Sequence, residues 1–229
     1  MIKHIAFIMD GNRRWAKRRG LPVGVGYAEG ARAMKRVIRR CAECGIGAVS
    51  VYAFSTENWS RPKAEIDKLF EIVRDSLDDL APICDELGIR VMASGDVTKF
   101  PADLQKTLAD MKAKTAVYDK CVFNMCINYG GRQDILQAVN NCVGKIGKAG
   151  KARAITEDDV NANLYTAPLP DPDLVVRTSG EQRISNFMIW QISYAELVFV
   201  KKFWPSMNAK IVDKCIKIYE KRNRRFGKG

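Results

Sequence analysis

Apolar positions along the chain follow two alternating rhythms. Short runs rich in β-branched and aromatic residues, at 4–9, 48–54, 89–94, 122–128, 173–177 and 197–200, predict strands. Longer segments near 29–44, 63–87, 102–118, 132–147, 157–165 and 209–225 carry helical spacing. In 63–87, Ile66, Leu69, Phe70, Val73, Leu77, Leu80, Cys84 and Leu87 recur at steps of three and four and form one apolar face. Apolar strands alternating with helices predict an α/β fold, a six-stranded, mostly parallel sheet flanked by helices on both faces. The segments 144–154 and 167–172 read as surface loops. With no repeat, low-complexity tract or linker, residues 1–229 read as one domain.

Polar, glycine- and arginine-rich segments follow the strands. The first strand leads into Asp10-Gly11-Asn12-Arg13-Arg14-Trp15, and the second into Ser55-Thr56-Glu57-Asn58-Trp59-Ser60-Arg61. The third ends at Gly95-Asp96, the fourth at Asn128-Tyr129-Gly130-Gly131-Arg132, and the fifth at Arg177-Thr178-Ser179-Gly180-Glu181 with Arg183 to Asn186 beyond. Ligands of open parallel sheets bind beyond the carboxyl ends of the strands, so these segments are expected to converge on one pocket.

Composition narrows the ligand. Hydrophobic residues make up 47% of the chain and charged residues 28%, enough for a packed core. The net charge of +12 suggests an anionic partner: nucleic acid, anionic lipid or a phosphorylated small molecule. The excess is +9 within residues 1–40 and +6 within 214–229, which leaves the middle of the chain at −3. That distribution, with no nucleic-acid-binding module, argues against a nucleic-acid partner. Seven cysteines in mostly apolar surroundings and no signal-peptide or membrane-spanning pattern predict a cytoplasmic, reduced protein. The CxxC at Cys41 and Cys44 reads as two positions on an amphipathic helix.

A strand that stops at Asp10, turns through Gly11 and enters a helix directs free N–H groups at one point, which suits a phosphate. Arg13 and Arg14 add guanidinium donors. A carboxylate beside phosphate needs a cation between them, so Asp10 is a candidate Mg²⁺ ligand. Arg177, Arg183 and Ser185 form a second oxyanion group, and Arg61 could join either. Glu196 is a candidate second metal ligand, although it precedes its strand and belongs near the opposite edge of the sheet. Asn58 is a candidate polar group near a reacting carbon. Each has an ordinary reading as well: a helix-capping Asp with solvated arginines, a paired Glu, an Asn in a turn. The single histidine, His4, starts the first strand, which argues against histidine base catalysis and a His-ligated metal. There is no Walker A or GxGxxG motif.

These blocks, together with Asp173 to Arg177, Trp190-Gln191, Tyr194-Ala195-Glu196-Leu197 and the closing 222–227 segment, run in one order over nearly the whole chain. In that order the chain resembles the cis-prenyltransferase family, its bacterial undecaprenyl diphosphate synthases above all. The resemblance implies a homodimeric, Mg²⁺-dependent enzyme that condenses isopentenyl diphosphate onto an allylic diphosphate such as farnesyl diphosphate, making Z double bonds and a long polyprenyl diphosphate for a cell-wall lipid carrier. On it, Asp10 is the catalytic aspartate and metal ligand, Gly11, Asn12, Arg13 and Arg14 cradle the allylic diphosphate, and Trp15 flanks it. Ser55, Thr56, Glu57, Trp59 and Arg61 line the substrate site, and Asn58 is the proton acceptor. Arg177, Arg183, Ile184 and Ser185 bind isopentenyl diphosphate, and Glu196 is the second metal ligand. The apolar face of 63–87 is expected either to line a product tunnel or to be ordinary core. A short-chain enzyme and a non-catalytic partner subunit stand as alternatives, the latter disfavoured by the presence of Asp10, Asn58 and Arg61.

Four positions depart from the family pattern: Arg13 replaces a frequent glycine, Val23 and Tyr27 replace an Arg and a His near the allylic diphosphate, and Gln182 replaces a His found in some members. Lys17, Arg18 and Arg19 are candidates to make up the lost cations. The charge of Arg36 to Arg40 and of the tail from Lys214 has no assigned ligand, and suggests peripheral contact with an anionic membrane.

Overall fold

The computed structural model of the chain describes residues 2–148, 150 and 152–222. Six strands, β1 (His4–Ile8), β2 (Ala48–Ser55), β3 (Ile89–Ser94), β4 (Cys121–Tyr129), β5 (Leu174–Arg177) and β6 (Glu196–Phe199), form one sheet in the order β3-β4-β2-β1-β5-β6. Every pairing is parallel. The helices are α1 (Asn12–Lys17), α2 (Val23–Glu43), α3 (Lys63–Leu87), α4 (Ala102–Lys114), α5 (Gly131–Lys148), α6 (Glu157–Asn161) and α7 (Ala209–Glu220). None of them is long and apolar enough to cross a membrane.

The sheet separates its side chains by parity. Ile5, Phe7, Val49, Val51, Leu174 and Val176 point to one face and pack with Met34 and Val37 of α2, Leu77 and Leu80 of α3, and Val212 of α7. Ala6, Ile8, Cys126, Tyr129 and Val175 point to the other, beneath Phe187 and Met188. α3 faces two ways: Ile66, Phe70, Leu77, Leu80 and Cys84 are buried in the core, while Leu69, Ile72, Val73 and Ser76 line a cavity of about 140 Å³ between α2, α3 and the sheet.

The expected helix at 29–44 begins instead at Val23. Gly26 and Gly30 allow α2 to lie against α1. A Cβ on Gly26 would stand 2.3 Å from the Asn12 carbonyl oxygen, and one on Gly30 would stand 2.3 Å from Asn12 Oδ1. The helices expected at 102–118 and 157–165 stop at Lys114 and Asn161, and α7 stops at Glu220. Residues 223–225 of the expected last helix lie outside the described residues.

Much of the cationic cluster near the start of the chain is consumed internally. Arg39 donates to Glu86 of α3 at 2.5 and 2.7 Å. Arg40 donates to Asp213 of α7 at 2.7 Å, and Arg36 to the Pro205 carbonyl at 3.2 Å. These residues tie α2 to its neighbours.

The second face carries a buried polar row running across four strands. Ser94 donates to Asn124 Oδ1 at 2.8 Å, Asn124 Nδ2 to Ser50 Oγ at 3.0 Å, and Ser50 meets His4 Nε2 at 2.8 Å. His4 Nδ1 lies 2.6 Å from the Pro170 carbonyl, which can only accept, so Nδ1 carries the proton and Nε2 accepts from Ser50. A second proton on the ring would force Ser50 to reverse. Burial, the larger effect, pulls the imidazole down to about 4 from 6.5. Since the unfolded chain binds that proton more readily, this contribution to stability is fully present above pH 6.5 and is lost as the pH falls through about 4. Its size is about 3 kcal/mol. Chemical denaturation at pH 7 and pH 4 is expected to show a loss in the wild type that is smaller by this amount in His4→Asn; equal pH slopes would remove His4 as the cause.

Candidate active site

β1 lies between β2 and β5, where the order of the strands reverses, and the polar segments gather beyond its carboxyl end. Asp10 follows directly. Its Oδ1 accepts from Arg14 Nη2 at 3.0 Å and its Oδ2 from Arg177 Nη2 at 2.9 Å. Its backbone carbonyl accepts from Thr178 Oγ1 at 2.6 Å and from the Trp204 N–H at 3.0 Å. Gly11 then turns with φ +107°, and a Cβ there would stand 2.6 Å from the Phe203 ring. This turn starts α1 and presents its first N–H groups to the cleft.

Arg14 and Arg177 belong to different parts of the chain but share Asp10. Arg177, only 5% exposed, also donates to Ser185 Oγ at 2.8 Å and to the Arg183 carbonyl at 2.6 Å. Ser185 adopts φ +49°, a left-handed conformation that turns its hydroxyl toward Arg177. Arg14 also donates to Ser179 Oγ and to Glu181 Oε1. The cleft beside Asp10 is lined by Met9 to Arg14, Tyr27 and Arg61, with a volume of about 270 Å³. It shares Met9, Asn12, Tyr27 and Arg61 with the apolar cavity, so the cationic cleft opens into the apolar one.

The segment after β2 forms a 3₁₀ turn, Thr56–Ser60, closed by a capping box in which Asn58 Oδ1 accepts from the Ser55 N–H at 3.1 Å. Asn58 lines the mouth of the apolar cavity. Glu57 accepts from Asn186 at 3.1 Å, which ties this turn to the segment after Ser185. Trp59 packs in a cluster with Phe54, Phe70 and Phe100, and its Nε1 donates to Asn128 at 2.8 Å. Ile184 packs on the second-face core, and Trp15 carries the Arg19 guanidinium 4.1 Å from its ring. Arg18 rests on Phe203 at 4.8 Å. Of the candidate compensating cations, Lys17 lines an extension of the cleft with Arg13, Arg14 and Val23.

Glu196 is not brought to Asp10. It opens β6 opposite Leu174, at the amino end of β5, and accepts from Arg222 at 2.6 Å. Tyr27, at the position where the family has a His, lines the cleft, and Glu65, which no motif singled out, holds it in place. Tyr27 donates to Glu65 at 2.6 Å and accepts from Arg61 at 2.9 Å. Burial first, and donation to Glu65 second, push its hydroxyl up, so it stays protonated. The available signal for Glu65 was its place four residues after Arg61, one helical turn away.

The matching family model, that of the undecaprenyl diphosphate synthase family, covers residues 8–227. The chain belongs to this family. A ditrans,polycis-undecaprenyl-diphosphate synthase, (2E,6E)-farnesyl-diphosphate specific, from Micrococcus luteus is 42% identical over 98% of this chain and 91% of its own length. An isoprenyl transferase from Clostridium perfringens is 41% identical, over 99% and 90%. The solved structure of lavandulyl diphosphate synthase from Lavandula x intermedia, in complex with dimethylallyl diphosphate, superposes with a TM-score of 0.96 at 33% identity and covers 99% of this chain and 98% of its own. As a cis-prenyltransferase, the chain is an enzyme that transfers prenyl groups.

The close approach of α2 to this prenyltransferase's cleft is testable. Gly26→Ala places a methyl against the Asn12 backbone, and overpacking of this kind is expected to cost about 1–3 kcal/mol. Urea denaturation measures that loss, and titration with inorganic pyrophosphate is expected to show weaker binding because Asn12 must shift. Unchanged stability and binding would mean that the contact relaxes freely.

Proposed function

We propose that this prenyltransferase condenses isopentenyl diphosphate onto an allylic diphosphate, farnesyl diphosphate first among them, to make a long Z-polyprenyl diphosphate such as undecaprenyl diphosphate. One observation carries the reading: two arginine groups meet at Asp10, over the entrance to an apolar cavity. An allylic diphosphate suits the turn of Gly11 to Arg14, its hydrocarbon directed past Asn12 and Tyr27 toward Leu69 and Val73. Isopentenyl diphosphate suits Arg177, Arg183 and Ser185, with Ile184 beside its short chain.

Held this way, the C1–O bond of the allylic substrate breaks and its electron pair leaves with the diphosphate. The isopentenyl double bond supplies the pair for the new C–C bond, and a proton leaves C2 on the side of Asn58 and is taken up by the released diphosphate. The protein contributes positioning and a preorganised positive field around the departing charge. The donor set fits Mg²⁺: a carboxylate oxygen in a cleft that collects phosphates. No group of three or more ligating side chains stands together among the described residues, so substrate oxygens would complete the coordination. Asp10 is the residue that would hold the ion, which supplies charge neutralisation at the departing diphosphate when bound.

Glu196 and Arg222 stand too far along β5 and β6 to serve the Asp10 of their own chain. The reading therefore has them serve the site of a second copy, within a homodimer.

The test is turnover of the full chain with Mg²⁺, labelled isopentenyl diphosphate and farnesyl or geranyl diphosphate, with product length read by chromatography. Elongation is expected, and its absence with every primer overturns the proposal. Asp10→Asn keeps a polar partner for buried Arg177 and is expected to lower turnover at least about a hundredfold while the protein stays folded. A short product would assign the enzyme to the short-chain alternative.

A further inference from the structure

Glu181 has no part in the chemistry above, yet it joins the two arginine groups. Its Oε1 accepts from Arg14 Nη1 at 2.6 Å and its Oε2 from Arg183 Nη1 at 2.5 Å. Arg14 belongs to the turn after β1, and Arg183 to the segment after β5. The carboxylate sits on a loop in which Ser179 and Gly180 both have positive φ, 73° and 77°. That conformation folds the loop back toward α1 and points the carboxylate between the two guanidinium groups. Donation from Arg14 and then Arg183 holds the carboxyl below its ordinary range, so it is ionised at neutral pH. A negative charge thus occupies the place where two anions are to bind.

The geometry points to Glu181 as the coupling element between the two diphosphate sites. A diphosphate arriving at Arg14 meets the Glu181 charge and displaces it. Because one carboxylate serves both arginines, its departure also frees Arg183, and the same holds in reverse. The first ligand therefore does the work of breaking the bridge, and the second finds its arginine already open. Coupling of this kind is reciprocal: each ligand tightens the other by the same factor. The bridging side chains are partly exposed, Arg14 44%, Arg183 58% and Glu181 26%, so the bridge is weak and the expected factor is small, about fivefold.

This inference rests on the two sites being diphosphate sites, and the experiment separates the two failures. Isothermal titration of the full chain with Mg²⁺ uses an unreactive allylic thiodiphosphate and isopentenyl diphosphate, each alone and in the presence of the other. In the wild type, each is expected to bind about fivefold tighter when the other is present. In Glu181→Gln, each alone is expected to bind tighter than to wild type, and the mutual factor to fall to about one. Removing a charge that merely repels anions would tighten both ligands and leave the factor unchanged, which would overturn the coupling role. A wild-type factor of one would overturn it as well. Glu181→Ala gives the same comparison without the amide's new donors. Failure of the wild type to bind either ligand would instead bring down the diphosphate reading, and the coupling with it.

Discussion

Asp10 fastens the working end of the molecule. Its side chain lies between Arg14 of α1 and Arg177 of β5, and its backbone carbonyl takes donors from Thr178 and Trp204. One residue at the end of the central strand thereby fixes the following turn, the adjacent strand and the segment that leads to α7. The nearly buried guanidinium of Arg177 is tolerated because Asp10, Ser185 and a carbonyl receive protons from its two Nη atoms, although its Nε has no partner. The interaction that organises the fold here also assembles the anion site.

The sheet's two faces do different work. One face is apolar throughout, and α2 and α3 lie over it with a cavity between them. The other carries the Ser94–Asn124–Ser50–His4 row and the buried Asp134, which accepts from Tyr129 at 2.8 Å and Gln191 at 2.9 Å. On the proposed function, the cavity on the first would take the hydrocarbon of the product. The polar rows on the second are satisfied by loop carbonyls and amides that pin the long connection before β5.

The excess positive charge resolves into three uses. Arg14, Arg177 and Arg183 gather around Asp10 and Glu181, each held by a neighbouring carboxylate. Arg39 and Arg40 tie α2 to α3 and α7. Arg18 and Arg19 rest on aromatic rings. A net charge alone distinguishes none of these, because each depends on what lies within a few ångströms.

By itself, the sequence determined the six strands, the parallel α/β class and the convergence of the loops after β1, β2, β4 and β5, because period and strand order are local properties that parallel topology converts into a shared pocket. It also placed Glu196 away from that pocket, since a residue that precedes its strand lies at the other end of the sheet. Only the tertiary structure decided the rest. Gly26 and Gly30 of α2 have their reason in the surface of α1, which no local pattern shows. The aromatic cluster around Trp59 is assembled from rings of β2, α3 and the segment before α4, which meet only in the folded chain. Glu65 and Glu181 were silent because a carboxylate gains its role from the arginines it reaches, and those arginines are brought within reach only when the chain folds.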